Sequence, residues 1–166
     1  VCAVPCDKAK ACDEAAEKEF ENLRSGSAGI IVIGSDHANA LFKPATDWVK
    51  AEDDLYSFNW RKDTEKDDYL EDARRVEDKK CPEDERGPWP RERAGGRDAG
   101  LLRIRYIDED SRRSVICVAA GLGSVGTLAA AHALTAVDEI AQDFDDSNRF
   151  AKAVIVRDSA AFRNGQ

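Results

Sequence analysis

The sequence predicts a three-layer α/β domain with a mostly parallel, Rossmann-like sheet, one β-hairpin and a charged insertion. Three patterns predict it: an unbroken apolar run at Gly29–Gly34, a strand that enters a glycine-rich turn at Gly121, and a helical pattern that leads on to an apolar run at Ala153–Val156. Unbroken apolar runs are typical of parallel strands covered on both faces, and the strand–helix–strand order predicts a parallel crossover. Because 166 residues are the size of one domain, we assign residues 1–166 to a single domain.

The N-terminal part is predicted to form a helix and then a central strand. Apolar residues recur at helical spacing over Asp7–Arg24, and Ser25–Gly26 can end the helix. Gly29–Gly34 follows as a strand that we place in the middle of the sheet, buried on both faces. Leu55–Trp60 is predicted as a second strand.

The charged insertion comprises residues 61–97, where three prolines exclude a long helix. One interpretation is a solvated loop with a helical stretch around Tyr69–Val76, and the other is a lid or docking arm. Trp89 lies between two of the prolines and indicates contact with a protein partner through this segment.

A hairpin, a long helix and a last strand are predicted after the insertion. Apolar residues alternate with Arg103 and Arg105, which predicts a first hairpin strand with one exposed face, and Val115–Val118 is its partner. The helical pattern then extends over Val125–Phe144, and Ala153–Val156 forms the next strand.

The overall charge excludes some classes of partner. The formal net charge is −8, whereas phosphate backbones and anionic lipids require cationic surfaces, so we expect no nucleic-acid partner. No run approaches the roughly 20 apolar residues that cross a bilayer, so we expect no membrane insertion. No export signal is recognisable, which favours the cytoplasm, with the cell surface and the oligomeric state left open.

The cysteines and histidines do not predict a metal site. The five cysteines form no pair of C-x-x-C motifs and the chain has only two histidines. Cys12 falls on the apolar stripe of the first helix, so buried or free thiols are expected, with a disulfide of Cys2 or Cys6 as the alternative. His132, beside the apolar face of the long helix, is expected to be a semi-buried structural residue.

The glycine-rich turn is the strongest candidate for a binding site. Gly121, Gly123 and Gly126 are spaced as G-x-G-x-x-G between a strand and a helix, a pattern that lets a phosphate approach helix N-terminal amides. An acidic residue that could accompany a nucleotide, Asp158, comes later than this pattern requires. Close packing of the helix on the strand explains the same glycines, and both interpretations stay open.

The polar turn after the first apolar strand is the second candidate. The carboxyl edge of an α/β sheet binds ligands, so this turn and the glycine loop are expected to face one crevice. His37 is a weak candidate for an acid or base that Asp36 orients, against the alternative of a polar turn and helix cap. The predicted ligand-binding residues are Ser35, Asn39, Gly121, Gly123, Ser124, Gly126, Thr127 and Asp158.

Several short motifs lie between Gly29 and Leu134: Gly34-Ser35, Asn39, Asp98-x-Gly100-Leu101, Val118-Ala119-Ala120-Gly121 and Gly126-Thr127-x-Ala129-Ala130. They resemble a poorly characterised prokaryotic α/β domain found in surface-layer-like and signalling-associated proteins. In that family a strand ends in G-G/S-P-x-x-N and a later strand ends in A-G, with G-T-x-A-A opening a helix. The sequence has Asp36 where the family has proline. The resemblance implies an accessory or sensory domain and supplies no catalytic residues.

The sequence therefore favours a non-catalytic ligand-sensing or accessory domain. Its expected ligand is a nucleotide or another phosphate-bearing small molecule at the glycine loop, and no cofactor is predicted with certainty. The alternative is a structural or partner-binding subunit without a small-molecule ligand. A hydrolase or transferase that uses His37 is the third hypothesis.

Overall fold

The computed structural model describes residues 9–26, 29–35, 38–50, 56–59, 68–73, 87–91, 96–109, 112–136, 144 and 148–157. In these ranges the helices are α1 (Ala9–Gly26), α2 (Phe42–Val49) and α3 (Ser124–Ala133). The strands are β1 (Gly29–Ile33), β2 (Tyr56–Asn59), β3 (Tyr69–Asp72), β4 (Trp89–Pro90), β5 (Asp98–Glu109), β6 (Arg112–Gly121) and β7 (Arg149–Val156).

The strands form a main sheet and a small sheet. The main sheet has the order β1-β6-β5-β7, in which β1–β6 is parallel and both β5–β6 and β5–β7 are antiparallel. The small sheet, β2-β3-β4, is antiparallel. The predicted mostly parallel, Rossmann-like sheet is therefore wrong. The predicted hairpin is present, but it places β5 between β6 and β7, so the crossover through α3 joins strands that run in the same direction without being neighbours.

Strand β1 lies at the edge of the main sheet, so the prediction that it is central and buried on both faces is also wrong. Ile30 and Val32 are buried, whereas Ile31 and Ile33 are 61% and 51% exposed. A run of branched apolar residues indicates a strand, but it does not report how many of its faces are covered. Here α1 and α2 pack on one face, and α3 packs on β5, β6 and β7.

The face of the main sheet under α1 and α2 carries the first part of the core. The predicted apolar stripe of the first helix is confirmed at Ala16 and Phe20, which are both buried. Phe20 packs with the inward side chains of the adjoining strands. This cluster contains Phe20, Ile30, Val32, Ala45, Val49, Ile107, Ile116 and Val118.

The small sheet covers β5 and β7 on the same face of the main sheet, so the predicted exposed face of the first hairpin strand is wrong. Arg103 is only 4% exposed and donates from Nη2 to the carbonyl oxygen of Tyr56 at 2.9 Å. A charged residue that alternates with apolar residues along a strand normally lies on a solvated face. Here the side chain of Arg103 is buried, and a backbone carbonyl oxygen of β2 accepts its hydrogen bond. The cluster between the two sheets contains Tyr56, Leu70, Trp89, Ala99, Leu101 and Leu122.

Parts of the charged insertion contribute strands to this small sheet. Tyr69–Asp72 is β3, so the helix predicted from Tyr69 is wrong at these residues. Leu70 is fully buried and lies opposite Trp89 of β4 in the strand register. Leu70 and Trp89 are thus core residues, and the charged residues around them hide this in the composition of the segment. Apart from 68–73, 87–91, 96 and 97, the segment 61–97 lies outside the described residues.

Helix α3 covers the other face of the main sheet. Its cluster contains Leu102, Ile104, Cys117, Ala119, Ala130 and Phe150. His132, predicted to be semi-buried, is exposed instead, because it lies on the outer side of α3. Phe144 packs near Phe150, with ring centroids 6.1 Å apart, although residues 137–143 between α3 and Phe144 lie outside the described residues. Among the described helices, none is long and apolar enough to cross a membrane.

Cys117 is expected to be unreactive in the folded protein. Burial raises the pKa of its thiol from the ordinary 9.0 to about 11, so about one thiol in a thousand is ionised at pH 8. We expect an alkylating reagent at pH 8 to label Cys117 only after denaturant is added, as measured by peptide mapping. Because the folded-state pKa is raised, this thiol begins to lower stability only as pH rises from about 9 toward about 11. Rapid labelling under native conditions would contradict this prediction.

Candidate functional site

The turns that follow β1 and β6 lie side by side at one edge of the main sheet. The two strands are parallel neighbours, and the Gly34 N–H donates to the Ala119 carbonyl oxygen at 3.0 Å just beyond the ladder. We call this the carboxyl edge: β1, β6 and β7 end there and β5 begins there. The glycine loop, Gly121–Thr127, occupies the part of the edge that leads into α3.

The turn after β1 is held by its own hydrogen bonds. Gly34 has a φ of +115°, a conformation that favours glycine. Asn39 donates from Nδ2 to the Ile33 carbonyl oxygen at 3.1 Å and accepts from the Leu41 N–H at 3.0 Å. Its amide group therefore connects the end of β1 to the start of α2. Asp36 and His37 lie outside the described residues, so the hypothesis of catalysis there stays a prediction.

The glycine loop lets α3 touch the main sheet directly. A Cβ atom on Gly126 would lie 2.2 Å from the Ala99 carbonyl oxygen, and one on Gly121 would lie 2.1 Å from the Thr127 nitrogen. A Cβ atom on Gly100, across the contact, would lie 2.1 Å from the Gly126 carbonyl oxygen. Real Cβ atoms do not approach backbone so closely, so close packing of helix on sheet by itself requires glycine at these positions.

A carboxylate of the chain itself lies at the N-terminus of α3. Asp98 is 5% exposed, and its two oxygens accept from the Gly126 N–H at 2.8 Å and from the Ala99 N–H at 2.9 Å. A negative charge is stabilised at this end of a helix, which is the reason such ends bind phosphate. Asp98 therefore takes the position that the glycine pattern would offer to a ligand anion. Because it precedes the loop on another strand, the local motif did not reveal it.

Asp98→Ala is expected to lower the free energy of unfolding by about 2 kcal/mol, because two buried N–H donors lose their acceptor at a helix start. Asp98→Asn should lower the free energy of unfolding by a smaller amount, since the amide oxygen of asparagine can still accept one of the two hydrogen bonds. Urea unfolding monitored by circular dichroism measures both values. Equal stability of Asp98→Ala and the wild type would contradict the role of this carboxylate.

The predicted ligand-binding residues do not all lie in one environment. The structure buries Gly121 and Gly126 beneath α3, and it exposes Ser124 at the first position of that helix. Thr127 donates from Oγ1 to the Gly123 carbonyl oxygen at 3.0 Å, a hydrogen bond within the loop. The remaining predicted residues are Ser35, Asn39 and Gly123, which are half-buried, and Asp158, which lies outside the described residues.

A cleft of about 710 Å³ lies at the carboxyl edge, between the outer strand of the small sheet and the end of β7. Trp89 forms part of its wall, with only 7% of its surface exposed. Ile155 belongs to the cluster between the two sheets, so the cleft opens on the face opposite α3. The residues that line it are Gly87, Pro88, Trp89, Pro90, Arg97, Ile155 and Arg157.

Two arginines stand next to each other in this cleft. Asp98 and Val156 form the last pair of the β5–β7 ladder, and Arg97 and Arg157 each lie one residue beyond it. Both side chains line the cleft from neighbouring strands. Sequence reasoning missed both arginines because only the strand register brings them together.

Arg91 connects the small sheet, which forms one wall of the cleft, to the glycine loop. Its backbone N–H donates to the Asp68 carbonyl oxygen at 2.8 Å, and its Nη1 donates to the Leu122 carbonyl oxygen at 3.1 Å. A Cβ atom on Gly123 would lie 2.7 Å both from Arg91 Nε and from Asp98 Oδ2. The small sheet is therefore fixed to the loop, and the wall of the cleft that carries Trp89 is held in place.

No protein-family model, curated protein sequence or solved structure matches the chain, so its function is inferred from the residues of the cleft and the glycine loop. In the part of the chain that the structure describes, no three His, Cys, Asp or Glu side chains come together in a group that could hold a metal ion.

Proposed function

We propose that the protein is a non-catalytic ligand-binding or accessory domain, and that its ligand is a small organic anion held in the cleft between β4 and β7. The observation that carries this proposal is the pair Arg97 and Arg157 in a cleft that Trp89 and Ile155 also line. Its volume of about 710 Å³ is within the range of small-molecule sites. Small-molecule sites combine apolar walls with a few polar groups that orient the ligand in this way.

The charge distribution supports an anion at this place. The whole chain has a net charge of −8, which disfavours extended polyanions, whereas two arginines line the cleft. Guanidinium groups bind carboxylates and phosphates through paired, charge-assisted hydrogen bonds. A small anion can reach them without bringing a polyanionic backbone against the acidic remainder of the surface.

The cleft is a better candidate for the anion site than the glycine loop, because Asp98 already accepts the hydrogen bond that the Gly126 N–H donates in that loop. A phosphate at the N-terminus of α3 would meet this buried carboxylate, and like charges in a poorly hydrated place repel strongly. Binding of a nucleotide at the glycine loop stays a prediction. It would require Asp98 to move away from the helix.

A non-catalytic role is proposed from the chemistry of the cleft. Among the described residues that line it, none is a serine, threonine, cysteine, histidine, aspartate or glutamate. Arginine stays charged at ordinary pH and is a poor general acid or base. The hypothesis of a hydrolase or transferase that uses His37 remains third.

Calorimetric titration with benzoate, phenyl phosphate, benzamide and benzylamine tests the proposal. We expect both anions to bind and the neutral and cationic analogues not to bind. Arg97→Gln and Arg157→Gln should each weaken anion binding about tenfold, the effect of losing one charge-assisted hydrogen bond. Arg113→Gln is the control, because Arg113 is exposed at the opposite end of the hairpin. Anion affinity that is unchanged in both cleft variants would refute the proposed site.

A second candidate function is a partner-binding subunit, and the edge strand β1 is the observation that favours it. Ile31 and Ile33 are exposed on this strand, and exposed apolar strands at sheet edges are prone to pair with other chains. Trp89, which the sequence associated with partner contact, is buried between the two sheets instead. If a partner co-purifies stoichiometrically, Ile31→Thr/Ile33→Thr should release it while Arg97→Gln/Arg157→Gln retains it.

A further inference from the structure

Strand β1 has an open outer edge. It pairs with β6 on one side, and no other strand in the described parts of the chain pairs with its outer side. The Gly34 N–H donates to the Ala119 carbonyl oxygen of β6. Because successive residues of a strand direct their backbone N–H and C=O groups to alternate sides, Val32 also directs its groups at β6, whereas Ile31 and Ile33 direct theirs outward. The outer edge of β1 therefore offers hydrogen-bonding groups to another strand.

One end of this open edge is already closed by the chain itself. The outward carbonyl oxygen of Ile33 accepts from Asn39 Nδ2 at 3.1 Å. Asn39 therefore marks where a pairing strand has to stop. A partner strand has Gly29–Ile33 to pair with, and the middle of that stretch is Ile31.

The side chains of β1 differ in charge from those of the other edge of the main sheet. Sheet edges that stay unpaired commonly carry lysine, proline or another charged residue. The other edge strand, β7, contains Arg149 and an exposed Lys152. Strand β1 contains no charged residue, and Ile31 and Ile33 are 61% and 51% exposed on the same face of the sheet as α3. An uncharged, apolar partner strand fits this edge.

A second copy of β1 satisfies the backbone of this edge. In an antiparallel pair with a two-fold axis at Ile31, the two Ile31 residues lie opposite each other and exchange two hydrogen bonds through their outward groups. Gly29 of each copy then lies opposite Ile33 of the other copy. Ile30 lies opposite Val32 in the same register. Every cross-strand pair is apolar, so no like charges are brought together.

The side chains also fit in this register. A Cβ atom on Gly29 would meet only Val115 of β6 within 4 Å, so there is room beside Gly29 for the Ile33 side chain of the second copy. Pairing of β1 with β7 of another copy would instead place Lys152 against isoleucine. Such a head-to-tail contact would also continue from copy to copy, whereas the two-fold pair closes on itself.

We infer, building on the partner-binding function of β1, that the partner is a second copy of this chain: the two β1 strands pair antiparallel about a two-fold axis at Ile31, and the two four-stranded sheets join into one. The anion cleft beside β7 lies at the other edge of the sheet and takes no part in this contact.

Sedimentation velocity of the full chain over a series of concentrations tests the self-association. One five-residue strand from each copy makes a contact at the small end of specific interfaces, so we expect a dimer with a dissociation constant on the order of 10 µM. Added salt should strengthen it, because salt screens the repulsion between two copies that each have a net charge of −8.

A charge-matched pair of variants locates the contact. Ile31→Lys should weaken the dimer about tenfold or more, since it places two ammonium groups opposite each other at the two-fold axis. Leu128→Lys is the control: Leu128 is 55% exposed on α3, so the variant makes the same change of charge at a similarly exposed apolar residue. It should dimerise like the wild type. Thermal unfolding checks that both variants keep the fold.

Amide hydrogen exchange, followed by NMR, identifies the edge residue by residue. The Ile31 and Ile33 amides should exchange about fourfold more slowly at about 500 µM protein than at about 20 µM, because exchange requires the monomer and the expected dissociation constant lies below this range. The Ile30 and Val32 amides point at β6 and should not change with concentration.

The outcomes separate self-pairing from the partner-binding function. If the chain stays monomeric to about 500 µM while another protein co-purifies and is released by Ile31→Thr/Ile33→Thr, self-pairing is wrong and partner binding by β1 is supported. If the chain stays monomeric and no protein depends on β1, both are wrong. A dimer that is unaffected by Ile31→Lys, or β1-dependent species larger than a dimer, would also overturn the two-fold pairing.

Discussion

Gly126→Ala is expected to lower the free energy of unfolding by about 3 kcal/mol or more, the high end for added atoms in a packed contact. The new Cβ atom would lie 2.2 Å from the Ala99 carbonyl oxygen and 2.9 Å from Asp98 Oδ1. Since backbone cannot yield as a flexible side chain does, α3 would have to move away from the sheet. That movement would also break the Gly126–Asp98 hydrogen bond.

The sign of this effect opposes local helix propensity, which makes it a sharp test. Alanine is about 1 kcal/mol better than glycine inside a helix, so propensity alone predicts that Gly126→Ala stabilises the protein. Gly26→Ala is the matched control: it lies at the last residue of α1, and its Cβ atom would meet nothing within 4 Å. Thermal unfolding should show Gly126→Ala melting about 6 to 12 °C below wild type, and Gly26→Ala within a few degrees of it. A stabilised Gly126→Ala would refute the close contact of α3 with β5.

Trp89→Ala is expected to cost about 3 to 5 kcal/mol of unfolding free energy, as for other large-to-small changes at buried aromatic residues. The indole lies between the two sheets with Leu70 and Leu101, and removal of the ring leaves a cavity that the flanking strands cannot fill. Chemical denaturation measures this loss directly. If Trp89 served only as a contact for a partner protein, the variant would unfold like wild type.

Leu128→Ala is the control for the loss of a large apolar side chain. Leu128 is more than half exposed on α3, so its truncation should change stability by less than about 0.5 kcal/mol. The stability of Trp89→Phe should lie between those of Leu128→Ala and Trp89→Ala, because phenylalanine keeps most of the buried ring surface. If the small sheet detached without unfolding the main sheet, Trp89→Ala would show two transitions, which would contradict the assignment of residues 1–166 to one domain.

The sequence predicted the elements better than their arrangement. The first helix, the strand after it, the hairpin and the strand at the end of the described chain are all present, because each is marked by its own periodicity or turn residues. The order of strands in the sheet was wrong, since periodicity does not report which strands become neighbours. The strand Tyr69–Asp72 was mistaken for a helix because charged residues surround its buried Leu70.

The candidate site shows the same difference between local features, which the sequence predicted, and their arrangement, which it did not. The glycine spacing correctly identified a close approach of helix and sheet, which a local motif can encode. It did not reveal that Asp98 lies at the helix N-terminus, since that residue reaches Gly126 only through the pairing of β5 with β6. Arg97 and Arg157 are 60 positions apart in the chain, and the β5–β7 register alone brings them together.

Local chemistry by itself determined the first helix, the strand after it, the hairpin and the tight turn into α3, because backbone preferences and apolar spacing act over a few residues. Tertiary structure alone decided that β5 separates β6 from β7, that a small sheet covers Arg103, and that two arginines share one cleft. The physical reason is that strand pairing depends on how distant segments are buried together, and no short stretch of sequence determines this.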